Sequence, residues 1–326
     1  MDIVHDTLYW AVYEKQVESV RVLLQDPRVR LNSHDSQVFL TALRSENTEI
    51  INLLLADPRF DAGANNNIII RNMARKTNDL DLFKRILKMP NVDPAVKFND
   101  PLMGAVLTSK VEVAKLLLQD QRVLNGNYLD GTLLLASRLR SSDMVRVLLQ
   151  CEKIRPSFVS VTGTNPDIVK AFLESPRVDP AAFLKYIRAE SRDPLYLSYF
   201  FRWSVESSND RLIKFFLTIK TLNPSSNSNA ALKLAIKNER LDIVRLLLAD
   251  DRVDPSLDRN EILEYTRQLA AAEEQKIIDA FSGEKKVNSD KLLALRLAVT
   301  RKFDNIQDVL SSNEKVNLAI KQNSIS

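Results

Sequence analysis

The stretch LDIVRLLLADDRVDPS, Leu241 to Ser256, decides how the rest of the chain is read. Ile243, Val244, Leu246, Leu247 and Leu248 form an apolar run broken only by Arg245, with Asp242 ahead of it. Apolar residues at i, i+3 and i+4 predict a helix buried over most of its circumference. Asp242 falls early in that helix, where a carboxylate complements the positive end of the helix dipole. The helix must stop before Pro255, because the residue ahead of a proline is pushed out of the helical region. Val253 is the single apolar residue of the exit loop and is expected to plug the core there.

The unit recurs. The position two residues before Val253 has counterparts at Pro27, Pro58, Pro90, Gln121, Glu152, Pro176, Lys220, Asp251, Lys285 and Glu314, mostly 29 to 34 residues apart. A short interval of 24 is followed by a long one of 44, which together span two ordinary units. The plug position holds Val29, Phe60, Val92, Val123, Ile154, Val178, Leu222, Val253, Val287 and Val316, and is never polar. A second position, 16 residues before each mark, holds Ala11, Ala42, Ala74, Ala105, Ala136, Ser160, Ser204, Ala235, Leu269 and Ala298. A small side chain at one fixed place means that two backbones approach closely there. A period in the low thirties, repeated about ten times, predicts a stacked array of helix-turn-helix units and not a single-core globule.

These units resemble the ankyrin-repeat family. Asp100-Pro101-Leu102 stands where that family has Thr-Pro-Leu, and Gly104-Ala105-Val106 covers the small residues of its first helix. Val111 to Leu118 matches its second helix, and Gly131-Thr132-Leu133 repeats the opening of the next unit. The resemblance spans essentially the whole chain, with systematic departures. The family's histidine is absent, with Tyr9 and Met103 at two of its places; Lys15-Gln16 and Ser109-Lys110 replace its Gly-His. The loop reads Asp-Pro-Arg-Val-Asp-Pro or a variant, a flavour similar to the ankyrin-like arrays of large DNA viruses and protists. The resemblance implies an all-α solenoid over residues 1–326. Within it, 1–30 would be an N-terminal capping repeat, 156–209 irregular repeats with an insertion, and 288–326 a C-terminal capping repeat.

Composition narrows the function. Six glycines leave no Gly-rich phosphate loop, and a net charge of +4 over 326 residues is too small to imply nucleic acid by itself. The lone Cys151 cannot form an internal disulfide, which fits a reducing compartment. Met1-Asp2-Ile3-Val4-His5-Asp6 lacks the basic start and apolar stretch of a secretion signal, and no apolar run is long enough to cross a membrane. The expected location is the cytoplasm, and the host cytoplasm if the resemblance to viral arrays extends that far.

The first unit is expected to place helices at Thr7–Lys15 and Val17–Gln25, with Trp10 packing toward an adjacent unit. Asp61 to Asn67 reads as a polar turn. Pro180 to Trp203 is an aromatic-rich insertion, read as an extra helix that fills a gap; a partner-binding protrusion is the alternative. The tenth unit and the tail Lys321–Ser326 read as a polar cap with a frayed end.

No catalytic pattern emerges. His5 and His34 are the only histidines, and His34 beside Asp35 and Ser36 in one loop is not a triad. No zinc or calcium spacing occurs, so neither a metal nor a cofactor is expected. Asp26, Asp57, Asp120 and Asp250-Asp251 recur once per unit and read as structural turn residues. The expectation is a non-enzymatic scaffold or adaptor.

Arrays of the family bind with their fingers and the outer side of their first helices. Two residues past the small position, that outer side holds Tyr13, Arg44, Lys76, Leu107, Arg138, Thr162, Glu206, Lys237, Ala271 and Thr300. Tyr13, Arg44, Lys76, Arg138 and Lys237 are the candidate protein-binding residues, an interrupted basic stripe suited to a partner with an acidic segment. No small-molecule substrate and no membrane contact are expected. The alternatives are a substrate-recruiting adaptor for a ubiquitin ligase, although 288–326 reads as a repeat and not as the docking segment such adaptors carry, and a nucleic-acid-binding array.

Overall fold

The computed structural model describes residues 3–32, 36–156, 165–190, 195–282 and 289–313. Among them every regular element is a helix and there is no strand, so the chain is all-α. It divides into two compact units, Met1–Asp179 and Pro180–Ser326.

The first compact unit holds α1 (Ile3–Tyr13), α2 (Val17–Leu23), α3 (Gln37–Ser45), α4 (Thr48–Ala56), α5 (Ala64–Lys76) and α6 (Leu80–Leu87). It continues with α7 (Val96–Leu107), α8 (Val111–Leu118), the short α9 (Gln121–Leu124), α10 (Leu129–Arg138), α11 (Ser142–Gln150) and α12 (Pro166–Glu174). Consecutive helices pair as α1/α2, α3/α4, α5/α6, α7/α8 and α10/α11, and each pair packs on the next. Both repeated positions of the sequence lie in this core. Val29, Val92, Val123, Ile154 and Val178 are buried and Phe60 half-buried, while Ala11, Ala42, Ala74, Ala105 and Ala136 are all buried.

Three devices, repeated along the chain, join these pieces. The first is a tight turn between paired helices. The N–H five residues past the small position donates back to that residue's carbonyl: Gln16 to Ala11 at 2.9 Å, Lys110 to Ala105 at 2.8 Å and Ser141 to Ala136 at 3.1 Å. The residue in between, Lys15, Ser109 or Arg140, takes a left-handed φ of 54° to 57°. This is the geometry with which helices commonly close, normally on glycine.

The second device is an arginine directly before the plug. Arg59 ion-pairs Asp57 at 2.6 Å and reaches back to the carbonyls of Leu24 (2.6 Å) and Asp26 (2.8 Å), at the end of the preceding pair. Arg122 does the same to Leu87 (3.0 Å) and Val92 (2.7 Å). Arg177 bonds the carbonyls of Leu149, Cys151, Glu152 and Ile154. The last carbonyls of a helix have no partner within it and carry its negative end, so a guanidinium there satisfies both needs. The aspartate aims the arginine: hydrogen bonds from Arg59 hold the Asp57 carboxyl below the usual carboxylate range, and Arg122 does so for Asp120.

The third is an asparagine seven residues past the plug. Asn67 and Asn99 each end a three-residue left-handed turn, at φ 56° and 63°, and their side chains are buried. Asn67 Oδ1 accepts the Asp93 N–H at 2.7 Å, and Asn99 Nδ2 donates to Asn127 O at 2.9 Å. Asparagine tolerates the left-handed region better than most residues, which fits it to this place.

The second compact unit holds α13 (Pro180–Glu190), α14 (Leu195–Glu206), α15 (Asp210–Leu217), α16 (Ser226–Lys237), α17 (Leu241–Leu248), α18 (Leu257–Ser282) and α19 (Ser289–Ser311). The devices recur in it. Asn209 and Arg240 close turns on Ser204 and Ala235 at 2.9 and 3.0 Å. Arg252 reaches the carbonyls of Leu217 and of Ile219, the latter at 2.8 Å. Asn229 ends a left-handed turn and donates to Asp254 O at 2.7 Å. The expected extra helix is α13, whose Phe183 and Leu184 are buried, and Phe200 and Phe201 of α14 are core residues. The expected capping repeat of 288–326 is described only as far as residue 313.

The regular pairing ends at α17. Where the thirty-residue ruler places two more helix pairs, the described residues form one long hairpin, α18 and α19. The ninth pair's internal turn is missing because Leu269-Ala270-Ala271-Ala272-Glu273-Glu274-Gln275-Lys276 is an unbroken run of strong helix formers without glycine or proline. Leu269, at the small position, is accordingly only half-buried. The described residues therefore give seven helix pairs and a hairpin where the sequence reading had about ten pairs. No described helix is long and apolar enough to cross a membrane.

Candidate functional site

The junction between the second and third units is built without these three devices. Asn91 stands where Arg59 and Arg122 stand, so no exit-loop arginine of the third unit reaches back to the carbonyls of the second; Arg85 of α6 donates instead to Asn52 Oδ1 of α4 at 3.0 Å. Neither turn bonds back to its small residue. In the α3/α4 turn Asn47 instead caps α4, its Oδ1 accepting the Ile50 N–H at 3.1 Å. In the α5/α6 turn Thr77 is extended (ψ 144°) and Asp79 caps α6, accepting the Leu82 N–H at 2.9 Å. The two units are held at the finger end, where Asn32 bonds Arg59 O (2.9 Å) and Asp61 N (3.0 Å) and Asn65 bonds Asn32 O (2.7 Å). At the other end α3 and α5 pack only loosely.

The result is a cleft of about 720 Å³ between the two pairs. Leu40, Leu43, Ile51, Met73 and Leu82 give it apolar walls. Arg44, Lys76, Glu46, Asp79, Asn72, Thr48, Thr77 and Asn78 supply its polar lining. Several of these groups are already engaged: Asp79 in its cap, Asn78 with Lys110 Nζ at 2.6 Å, and Asn72 with Ile68 O at 2.9 Å. Arg44 and Lys76, in the last turns of α3 and α5, are exposed and have no ion-pair or side-chain hydrogen-bond partner among the described residues. An apolar hollow edged by unspent charge is the usual form of a binding site.

Of the five candidate residues, the structure brings Arg44 and Lys76 together in this cleft. Arg138 is exposed on α10 outside the cleft lining, and Lys237 is exposed in the second compact unit. Tyr13 belongs to an aromatic cluster on α1, stacked on Tyr9 at 6.5 Å and edge-on to Trp10 at 5.5 Å. Leu107, Glu206, Ala271 and Thr300 of the same series are exposed, and Thr162 lies outside the described residues. Trp10 corrects the sequence reading: it is 57 % exposed and meets Tyr9 and Tyr13 of its own helix. Its counterpart Gly104 faces Arg75 of the preceding pair, and α1 has no described helix on that side.

Sequence reasoning missed two features. The cleft is one. The other is an exposed pair, Phe98 and Tyr128, on neighbouring finger loops. His34 and Asp35 lie outside the described residues, and among the described ones no three His, Cys, Asp or Glu side chains form a group that could hold a metal. No known protein family matches the chain, and no curated protein does.

Proposed function

We propose that this protein is a divergent ankyrin-like repeat protein of the cytoplasm that acts as a scaffold or adaptor, holding an acidic segment of another protein against the outer face of its first helices. The observation that carries the reading is the pair Arg44 and Lys76, two unpartnered cations on one apolar cleft. Elsewhere in this chain the arginines of the exit loops are engaged by carbonyls and aspartates, whereas Arg44 and Lys76 face a common hollow with no partner among the described residues. Arg138 extends the same charge along the series. Supporting the repeat reading are the buried small position, the buried plug and the recurrent pairing.

The test is capture of partners from the native cell by the full chain and by the variant Arg44→Glu, Lys76→Glu, Arg138→Glu. A protein retained by the natural chain and lost by the variant, at unchanged melting temperature, is the expected outcome. Equal capture by both sinks the basic-stripe reading.

A further inference from the structure

Three units open with a left-handed turn of three residues, at 65–67, 97–99 and 227–229. Two are built from residues suited to it, Asn65-Asn66-Asn67 and Asn227-Ser228-Asn229. The third is Lys97-Phe98-Asn99, with Phe98 at φ 61°. Left-handed backbone is unfavourable for a residue with a bulky side chain. Burial does not offset this, since Phe98 is 63 % exposed. Opposite it, Tyr128 is also left-handed, at φ 67°, and 66 % exposed. The rings meet edge to face at 5.2 Å.

Their spacing is held from below. Asn99 Nδ2 donates to Val123 O at 3.2 Å and Asn127 O at 2.9 Å, tying the two fingers together. It fits because Gly126 has no side chain: a Cβ there would lie 2.7 Å from the Asn99 amide. The finger segments 95–99 and 125–128 carry Lys97 and no carboxylate, and Lys97 has no partner among the described residues.

Neither backbone preference nor core packing explains two aromatic residues placed this way. We infer that Phe98 and Tyr128 are the apolar anchor of a protein interface, and that the partner presents an apolar side chain beside a carboxylate. The rings supply contact area already fixed in place, and rigid aromatic anchors dominate many interfaces. Lys97 supplies the complementary charge. The class of partner rests on the proposed function, but the residues are different ones, so the two can fail separately.

The test uses the full chain with Phe98→Asn, Tyr128→Asn and both together. Because asparagine suits left-handed backbone, the melting temperature should stay the same or rise; a fall would make the rings structural and overturn the inference. Binding is read by fluorescence polarisation with a short labelled peptide alternating aspartate and leucine. The natural chain should bind it, each single variant should bind about ten-fold more weakly, and a version with serine for leucine should not bind. No binding by the natural chain, or equal affinity in the variants, refutes the anchor. Loss of binding in Arg44→Glu, Lys76→Glu alone would remove it while leaving the acidic-segment reading intact. Tighter binding of a labelled oligothymidine that needs the same rings would assign them to nucleic acid and overturn the inference.

Discussion

The α3/α5 and α5/α7 junctions are the same joint built twice with different outcomes. Between α5 and α7 the helices are clamped. Asp100 accepts from Arg71 Nε and from Arg75 Nη2, both at 2.6 Å, and Gly104 lets α7 lie against Arg75. At the corresponding positions one unit earlier, Phe39 and Leu43 replace the two arginines, Ile69 replaces the aspartate and Met73 replaces the glycine. There the helices part and leave the cleft. The same repeat thus becomes either a rigid joint or a binding hollow through a handful of side chains that leave the plug and the small position untouched.

The largest effect is expected from Gly104→Met, which puts the residue of the open joint into the closed one. A Cβ at Gly104 would stand 2.8 Å from Arg75 Cγ, closer than packed atoms approach. Overpacking of this kind costs about 1–3 kcal/mol, to be read as a lower midpoint in urea unfolding. An unchanged midpoint would mean the clamp is not tight.

Asp100→Asn should come next. It leaves two guanidinium groups facing a neutral amide, a loss of about 1–2 kcal/mol for a partly exposed pair. Faster amide exchange should be confined to α5 and α7, and spread across all helices would argue against a local clamp. The same residue gives a pH dependence. Burial works against the Asp100 charge, but hydrogen bonds from Arg75 and Arg71 outweigh it, so its carboxyl titrates below the ordinary value. Asp57 and Asp120 are lowered likewise, and Arg28 brings Asp26 down to about 2. A carboxylate with a depressed folded-state pKa contributes stability that is full above its unfolded value, about 4. That stability is lost as pH falls through the folded value. Unfolding midpoints should therefore drop between about pH 4 and pH 2, and less steeply in Asp100→Asn. A slope identical in the two chains would remove Asp100 from the account.

The smallest effect belongs to the open joint. Arg44→Glu and Lys76→Glu break no ion pair or side-chain hydrogen bond among the described residues and should each change stability by less than about 0.5 kcal/mol. A larger loss in calorimetry would show that the cleft's cations serve the fold and not a partner.

What could be read from the chain was whatever recurs locally. The plug, the small position and the helix pairs from α1 to α17 follow from spacing alone, and the aspartates of the exit loops were read as structural. Their arginines were equally visible, at Arg59, Arg122, Arg177 and Arg252, but their carbonyl acceptors lie 23 to 35 residues back, where no local pattern points. The asparagine seven residues past the plug recurs too, at Asn67, Asn99 and Asn229, yet its meaning depends on a left-handed turn that spacing does not announce. The cleft was out of reach for a different reason. Spacing marks Arg44 and Lys76 as exposed, but what joins them is the absence of an arginine at Asn91 and of a closed turn at Asn78, and absences are silent in a pattern built from matches. The hairpin α18/α19 shows the opposite error, where a ruler carried past the point at which helix propensity overrode it.

The arginine of the exit loop has a further consequence for how such a chain can grow. The second, fourth, sixth and eighth copies carry, in their last residues, the cap for the copy before. A duplicated segment of this length therefore brings its own mortar. Inserted between two neighbours, an arginine-bearing copy would seal the one behind it with no adjustment of that neighbour. Lineages could then lengthen or shorten the molecule by whole arginine-bearing copies, while the exit loop at Asn91, which carries no arginine, belongs to the open joint.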